Sequence, residues 1–527
     1  MKTRILWLSL ALTAGQASHA FAQGSAQDAL RYSQLQFGGP ARTQGIAGAN
    51  VALGADFGNL SSNPAGLGLF QKSEFHFSPG LGLGSSNARI EGNPSGAQEG
   101  SKNSFHVGSL GVVFAGRRPD DDQTSNWRGG GFGLGFTRVA DFNTASLYEG
   151  TVSNNQSYLA YFRPDAAAAR TPAAFASLDK QFDDNRYTTP LGLTYGTYLS
   201  NIRSNRAGVD SAVVLRQQGS VLTQSELIRN AGSISQLDLG YGANYRNRLY
   251  IGGAIGFVSS NHTQFRTLRE SDNDAATHFN SLTNEIDRKT TGSGFNVRAG
   301  IIYRANDLVR FGASMQTPTF MRMTYSYGES LRANYSAQGS DRVPRDLPVG
   351  DSPTVSLRDP DYAYRITTPF RANGGVAVTV GKHGFVTGDA EYVNYGQARL
   401  YNDPESVNGD NYSFSDENAD VRNRYQSAVN LRAGAEGRFD VFRVRAGYAR
   451  YGDPFKDNAN GGRVQTFYTL GAGIRQGNFF IDAAGVYASF NQQYTPYTLE
   501  TSPQINSPLI KISNSRYTTS VTAGFTF

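Results

Sequence analysis

From about residue 230 onward the chain alternates strictly between apolar and small or polar positions. In residues 237–245, Leu237, Leu239, Tyr241, Ala243 and Tyr245 are apolar, while Asp238, Gly240, Gly242 and Asn244 are small or polar. A period of two puts these sets on opposite faces of a strand. The same unit, two alternating strands joined by a short turn, recurs at residues 237–257, 295–315, 376–395, 429–448 and 468–487, with a long polar stretch after each. Every strand has the same one-sided pattern, so the apolar faces have no second layer to pack against. Apolar outside and polar inside, with short turns at one end and long loops at the other, predicts an all-β fold: an antiparallel β-barrel closed in lipid.

The strand count follows from the pattern. The last strand spans residues 517–527, with Tyr517, Thr519, Val521, Ala523, Phe525 and Phe527 on one face. Its aromatic end, Phe525 and Phe527, looks like the assembly signal of bacterial outer-membrane barrels. The turns at residues 246–247, 305–307, 381–383, 439–440 and 476–478 are short and belong on the periplasmic side. The stretches 259–292, 319–365, 396–424, 452–463 and 491–516 are polar and belong outside. Three further strands are expected at residues 73–83, 104–115 and 127–139, with the Asp120-Asp121-Asp122 connection periplasmic. Residues 140–232 then form one long outer loop, with a helical candidate at 165–182 and an apolar stretch at 191–199. Single-chain bacterial barrels have even strand numbers, which selects fourteen; sixteen would require a hairpin hidden in that loop.

The N-terminal part does not alternate. Lys2 and Arg4, the apolar residues 5–14 and Ala20-Phe21-Ala22 have the layout of a removable signal peptide over residues 1–22. No later run approaches the ~20 apolar residues of a spanning helix. Residues 23–72 hold a short amphipathic helix candidate at 26–35, a small-residue run at 45–54 and Asn63-Pro64-Ala65-Gly66. Such a segment cannot expose its backbone to lipid. A fourteen-stranded barrel is wider than the ~8 strands whose side chains alone fill the interior, so a plug over 23–72 inside a barrel over 73–527 is expected.

Composition narrows the chemistry. There are 60 Gly, 28 Tyr and 32 Phe but no Cys, which excludes thiolate metal sites and thiol catalysis. Mean hydropathy is −0.42, against a helical membrane protein but compatible with strands that are half polar. The formal charge of +6 falls by two without Lys2 and Arg4, and no basic run offers a nucleic-acid footprint. His76, His106, His262, His278 and His383 are scattered, and no catalytic constellation, metal site or cofactor motif emerges, so no enzyme is expected. The Asp-rich stretch 402–420 lacks the fixed spacing of a calcium loop. Alternation turns Asp238, Arg298, Asp389, Glu391, Arg432, Glu436, Arg443, Arg445 and Asp482 inward. They read either as ion pairs holding wall and plug together or as Arg groups that receive a ligand carboxylate.

The small-residue run followed by Asn63-Pro64-Ala65-Gly66 resembles the N-terminal hatch of the FadL/TodX family of outer-membrane transporters for hydrophobic compounds. The strand count and aromatic end agree, and Thr368-Pro369-Phe370-Arg371 with Asp389-Ala390-Glu391-Tyr392-Val393-Asn394-Tyr395 is similar to members from the Bacteroidetes group. The resemblance implies a monomer with Asn63, Pro64, Ala65 and Gly66 as hatch residues. It also implies a kinked third strand that opens the wall sideways, for which Gly129, Gly130, Gly131 and Gly133 are the candidates. Implied partners are outer-membrane lipid and lipopolysaccharide, the barrel-assembly machinery and a hydrophobic ligand such as a long-chain fatty acid or an aromatic hydrocarbon. Within the same superfamily the alternative is an anchor or shuttle for secreted proteins, PorV-like.

Overall fold

The first and last strands hydrogen-bond to each other and close the sheet. Glu74–Ile90 (β1) pairs antiparallel with Ile510–Thr526 (β14), from Glu74↔Thr526 to Ile90↔Ile510. The computed structural model describes residues 23–527 except 120, 123, 205–209, 215–220, 273, 275, 338–346, 407–411, 458–462 and 500–506. The expected signal peptide, Asp120 and part of the stretch 402–420 lie outside the described residues.

Between the closing strands run Gln98–Arg117 (β2), Trp127–Asp141 continued by Thr144–Ser153 (β3), Val221–Tyr245 (β4), Leu249–Asp272 (β5) and Phe279–Arg304 (β6). Val309–Gln316 with Phe320–Tyr335 (β7), Tyr362–Thr367 with Arg371–Val380 (β8) and Gly384–Asn394 with Arg399–Asn402 (β9) follow. Ser427–Phe439 (β10), Phe442–Tyr451 (β11), Gln465–Gln476 (β12) and Phe479–Tyr494 (β13) complete a closed antiparallel barrel of fourteen strands. Prolines interrupt β7 and β8 side by side, at Pro318 and Pro369, because proline has no N–H for the ladder. Two bonds span the break: Thr319 N–H donates to the Thr368 hydroxyl at 2.9 Å, and Thr368 N–H to the Thr319 carbonyl at 3.0 Å.

The alternation sorts the faces as the sequence predicts. Leu237, Leu239 and Tyr241 stand exposed on the outside, and Asp238, Gly240, Gly242 and Asn244 are buried inside. Two aromatic rows bound the apolar outer band. Near the short turns, Phe75, Phe479 and Phe527 gather around Phe525 with ring centroids 5.6–6.3 Å apart. Farther along, Tyr448, Tyr468, Tyr487 and Tyr517 link four successive strands at 4.7–6.5 Å. Phe479 and Tyr487 share β13, so the rows are about 27 Å apart along the strand and about 21 Å in height at a tilt near 40°. That matches the roughly 25 Å apolar band of outer-membrane barrels.

The strands run well past this band, which corrects the loop boundaries read from the sequence. Most of the expected loop 259–292 is ladder, paired from Ser259↔Ser293 to Ser271↔Ser281. The expected loop 140–232 begins with the Thr144–Ser153 segment and ends inside β4, so its loop portion is shorter. The stretch 319–365 likewise contains Phe320–Tyr335. Above the lipid both faces of a strand meet polar surroundings, so the apolar alternation that reveals a strand disappears while the backbone pairing persists. The apolar stretch 191–199 is mainly the helix Pro190–Gly196, whose Thr189 hydroxyl caps the Gly192 N–H. No helix among the described residues is long and apolar enough to cross a membrane.

Residues 23–72 lie inside. They form the helices Gln23–Arg31 (α1), Ala41–Gly45 (α2) and Asn59–Ser62 (α3) and a 3₁₀ turn, Pro64–Leu69. From Ala41 to Phe70 every residue except Arg42, Ala55, Ser61 and Ser62 is buried. In the half toward the long loops, Ala26, Ala29 and Leu30 of α1 pack with Tyr364, Leu400, Val421 and Tyr425.

Candidate functional site: the hatch, its wall contacts and the β2–β3 seam

Asn63 bonds both within the hatch and to the wall. Its Nδ2 donates to the Val51 carbonyl at 2.7 Å and to the Ile301 carbonyl of the wall at 3.1 Å, and its Oδ1 accepts the Ala65 N–H at 3.2 Å. An Asn before a Pro is suited to this position. The side chain caps the turn, while Pro64, lacking a donor, starts it without an unpaired N–H. Ala65 and Gly66 continue the turn and are fully buried. The Asn63 side chain and the backbone of the turn lie against the wall, and this explains two strand glycines. A Cβ on Gly300 would fall 1.9 Å from Asn63 Oδ1, and one on Gly131 would fall 2.4 Å from the Leu67 carbonyl oxygen.

Inward charges tie the hatch to the wall from several strands. Asp389 Oδ2 accepts the Val51 N–H at 3.0 Å. Arg298 pairs with Asp238 at 2.6 Å and donates to the Leu60 carbonyl at 3.1 Å. Arg371 pairs with Glu391 at 3.0 Å and donates to the Ser33 carbonyl. Arg432 reaches the same Glu391 at 3.3 Å and lies over the Tyr451 ring. Arg445, fully buried, bridges Glu436 at 2.7 Å and Asp482 at 2.6 Å, and Glu436 also faces hatch residue Arg42 at 3.5 Å. Arg443 stands apart: it donates to the carbonyls of Asp440 and Phe442 at the turn. Neutral bonds add to the set, including Thr469 to the Gly45 carbonyl at 2.9 Å and Ser314 to the Ser62 carbonyl at 2.7 Å. Sequence reasoning found most of the charged members but missed Arg371, Arg42 and the hydroxyls. Arg371 was visible only as part of a motif, and a Ser or Thr on an inward face carries no distinguishing signal.

The wall parts at β3, though not at the glycine run. Gly129, Gly130, Gly131 and Gly133 are paired on both sides, with β2 from Arg117↔Gly129 to Val113↔Gly133 and with β4 from Gly129↔Asn244 to Gly133↔Gly240. Gly131 and Gly133 face Leu67 of the hatch, Gly130 faces Gly242 and Tyr241, and Gly129, at φ +127°, takes up a register shift against β4. The β2–β3 ladder ends farther on, at Ser109↔Thr137, whereas β2 stays paired with β1 as far as Gln98. Past Thr137, β3 follows β4 inward. Ser86, on the inner face of β1, donates to the Ala145 carbonyl at 2.5 Å, which places the continuation of β3 inside the wall. The bend is held by Asp141, which pairs with Arg138 at 2.8 Å and Arg516 at 2.9 Å and accepts the Asn143 N–H at 2.8 Å. Where β2 has left, the hatch takes its place: the Gln36 N–H donates to the Val139 carbonyl at 2.7 Å. The segment joining α1 to α2 therefore lies along the inside of the seam.

No family model matches the sequence, and no curated protein matches it at a significant level. Solved structures do. A FadL homologue from Pseudomonas aeruginosa aligns over 93% of this chain and 98% of its own at a TM-score of 0.50 and 11% identity. The toluene transporters TodX of Pseudomonas putida and TbuX of Ralstonia pickettii each align over 93% of this chain and 99% of their own, at a TM-score of 0.48 and 14% identity. At these identities the likeness is one of fold, and the chain shares its fold with the FadL homologue.

Proposed function

We propose that the protein is an outer-membrane channel for the passive uptake of hydrophobic small molecules, such as long-chain fatty acids or aromatic hydrocarbons. The observation that carries this reading is the β2–β3 seam. The hatch obstructs the straight path down the lumen and is bonded to the wall on many sides, while the wall itself lacks its ladder above Ser109↔Thr137. An apolar solute gains by leaving into lipid and loses by entering water. A sideways exit past Gln36 therefore suits it better than a path through the hatch. The likeness in fold to a FadL homologue supports the same reading. In this arrangement the short turns are periplasmic and the long loops face outward amid lipopolysaccharide. The chain acts as a monomer, is inserted by the barrel-assembly machinery and catalyses no reaction. A PorV-like anchoring role is not favoured.

Deleting residues 141–143 shortens the bend so that β3 continues straight beside β2. Uptake of radiolabelled oleate and of toluene into cells expressing this variant should fall at least about tenfold, with the barrel still heat-modifiable on gels. A folded variant with uptake intact would overturn the lateral route.

A further inference from the structure

A cavity of about 340 Å³ lies at the short-turn end, between the hatch and the wall. Five arginines line it, Arg42, Arg117, Arg304, Arg310 and Arg438, and among the described residues no Asp or Glu does. Arg117 donates to the side-chain oxygens of Gln71 and Asn247, and the described carboxylates nearby only partly offset the other four. Glu436 is shared by Arg438 at 2.8 Å and Arg42 at 3.5 Å, and Arg42 also meets Asp56 at 3.4 Å. Asp307 meets Arg304 at 2.7 Å but is 92% exposed, so water screens it. Arg310 uses Nη1 on the Leu53 carbonyl at 2.7 Å. The Nε atoms of Arg304 and Arg310 are buried without a hydrogen-bond partner. Buried polar groups are ordinarily satisfied, so both side chains beside the cavity leave donor capacity unused. Only partly offset, the guanidiniums of Arg42, Arg304, Arg310 and Arg438 favour a planar or tetrahedral oxyanion. Tyr250 and Phe385 also line the cavity and give it an apolar side.

We propose that this cavity is a binding site for a small oxyanion, a carboxylate or a phosphate, drawn from the aqueous phase at the short-turn mouth. Its residues lie at strand ends and on inward positions, so it faces water rather than lipid. Arg310 on the wall holds the hatch through Leu53, and Arg42, itself in the hatch, bonds the Ala55 carbonyl at 2.8 Å and faces Glu436 of the wall at 3.5 Å. An anion bound to these guanidiniums adds a bridge between hatch and wall. The site is separate from the seam, and the proposal does not depend on uptake.

The test is calorimetric titration of the full-length protein in neutral detergent with sodium phosphate and with sodium benzoate, against sodium chloride at matched ionic strength. Saturable binding of either anion beyond the chloride response is expected. Phosphate alone identifies a phosphate-bearing ligand, and benzoate alone a carboxylate. Arg304→Gln/Arg310→Gln should weaken binding at least about tenfold. Arg117→Gln, at an exposed strand end, should weaken it by a smaller factor and guards against misfolding of the double variant. Binding no stronger than chloride for both anions, or unchanged affinity in folded variants, overturns the proposal.

Discussion

Asp389 on β9 and Val51 in the hatch are joined by one bond across 338 residues of sequence, with Val51 N–H donating to Asp389 Oδ2 at 3.0 Å. Both residues are buried, so nothing replaces the bond when it is lost. Asp389→Ala should loosen the small-residue run of the hatch by about 1–3 kcal/mol, the cost of a buried unsatisfied donor. Hydrogen exchange of the Val51 amide should speed up accordingly. Asp389→Asn keeps an acceptor oxygen and should retain most of the protection. Equal loss in both variants would show that the carboxylate charge, not the hydrogen bond, seats the hatch.

Arg445 sits with a fully buried side chain between Glu436 and Asp482. Removing its charge strips Asp482 of its buried cation, while Glu436 keeps Arg438 at 2.8 Å and Arg42 at 3.5 Å. Arg445→Met should therefore cost about 3–5 kcal/mol of barrel stability, read from urea unfolding in lipid or detergent. The double change Arg445→Met/Asp482→Asn removes the uncompensated charge and should recover much of the loss. Arg443→Met, two residues away at the turn, should be close to neutral.

The difference between these two arginines marks how far the sequence could be read. Period-two alternation is a property of each strand, so it placed Arg443 and Arg445 on the same inward face. Which of them finds a carboxylate depends on the neighbouring strands and on where the hatch sits, and neither is encoded locally. The same holds for the wall. Leu237, Leu239 and Tyr241 announce a lipid-facing strand because lipid imposes a pattern on them, whereas Ser259 to Ser271 in β5 pair equally well with no lipid to select their side chains. The hatch was legible through Asn63-Pro64, whose cap chemistry is local. The seam was not, because it arises where Asp141 gathers Arg138 and the distant Arg516.

Gly131 and Gly485 offer a matched contrast between a glycine required by the hatch and one that faces lipid. A Cβ on Gly131 meets the Leu67 carbonyl oxygen at 2.4 Å, whereas one on Gly485 meets nothing within 4 Å. Gly131→Ala should push the Pro64–Leu69 turn off the wall and raise ion conductance through single barrels in planar bilayers. Gly485→Ala should leave conductance unchanged and stability within about 0.5 kcal/mol of the parent. A silent Gly131→Ala would mean that the turn yields without leaking.

Asp28 gives the seating of α1 a pH dependence of a definite sign. Burial pushes its carboxyl above the ordinary 3.8, outweighing the opposing pull of Arg31 and of the Tyr364 hydroxyl, which donates to it at 3.0 Å. The seated helix thus holds the Asp28 proton more tightly than the released one. Its contribution is complete below pH 3.8 and declines as pH rises toward the higher seated value. Protection factors for the α1 amides, corrected for intrinsic exchange, should accordingly fall as pH rises through this range. Asp28→Asn cannot ionise and still accepts from Tyr364, so its profile should be flat over the same range. A parent-like slope in Asp28→Asn would assign the effect to another group.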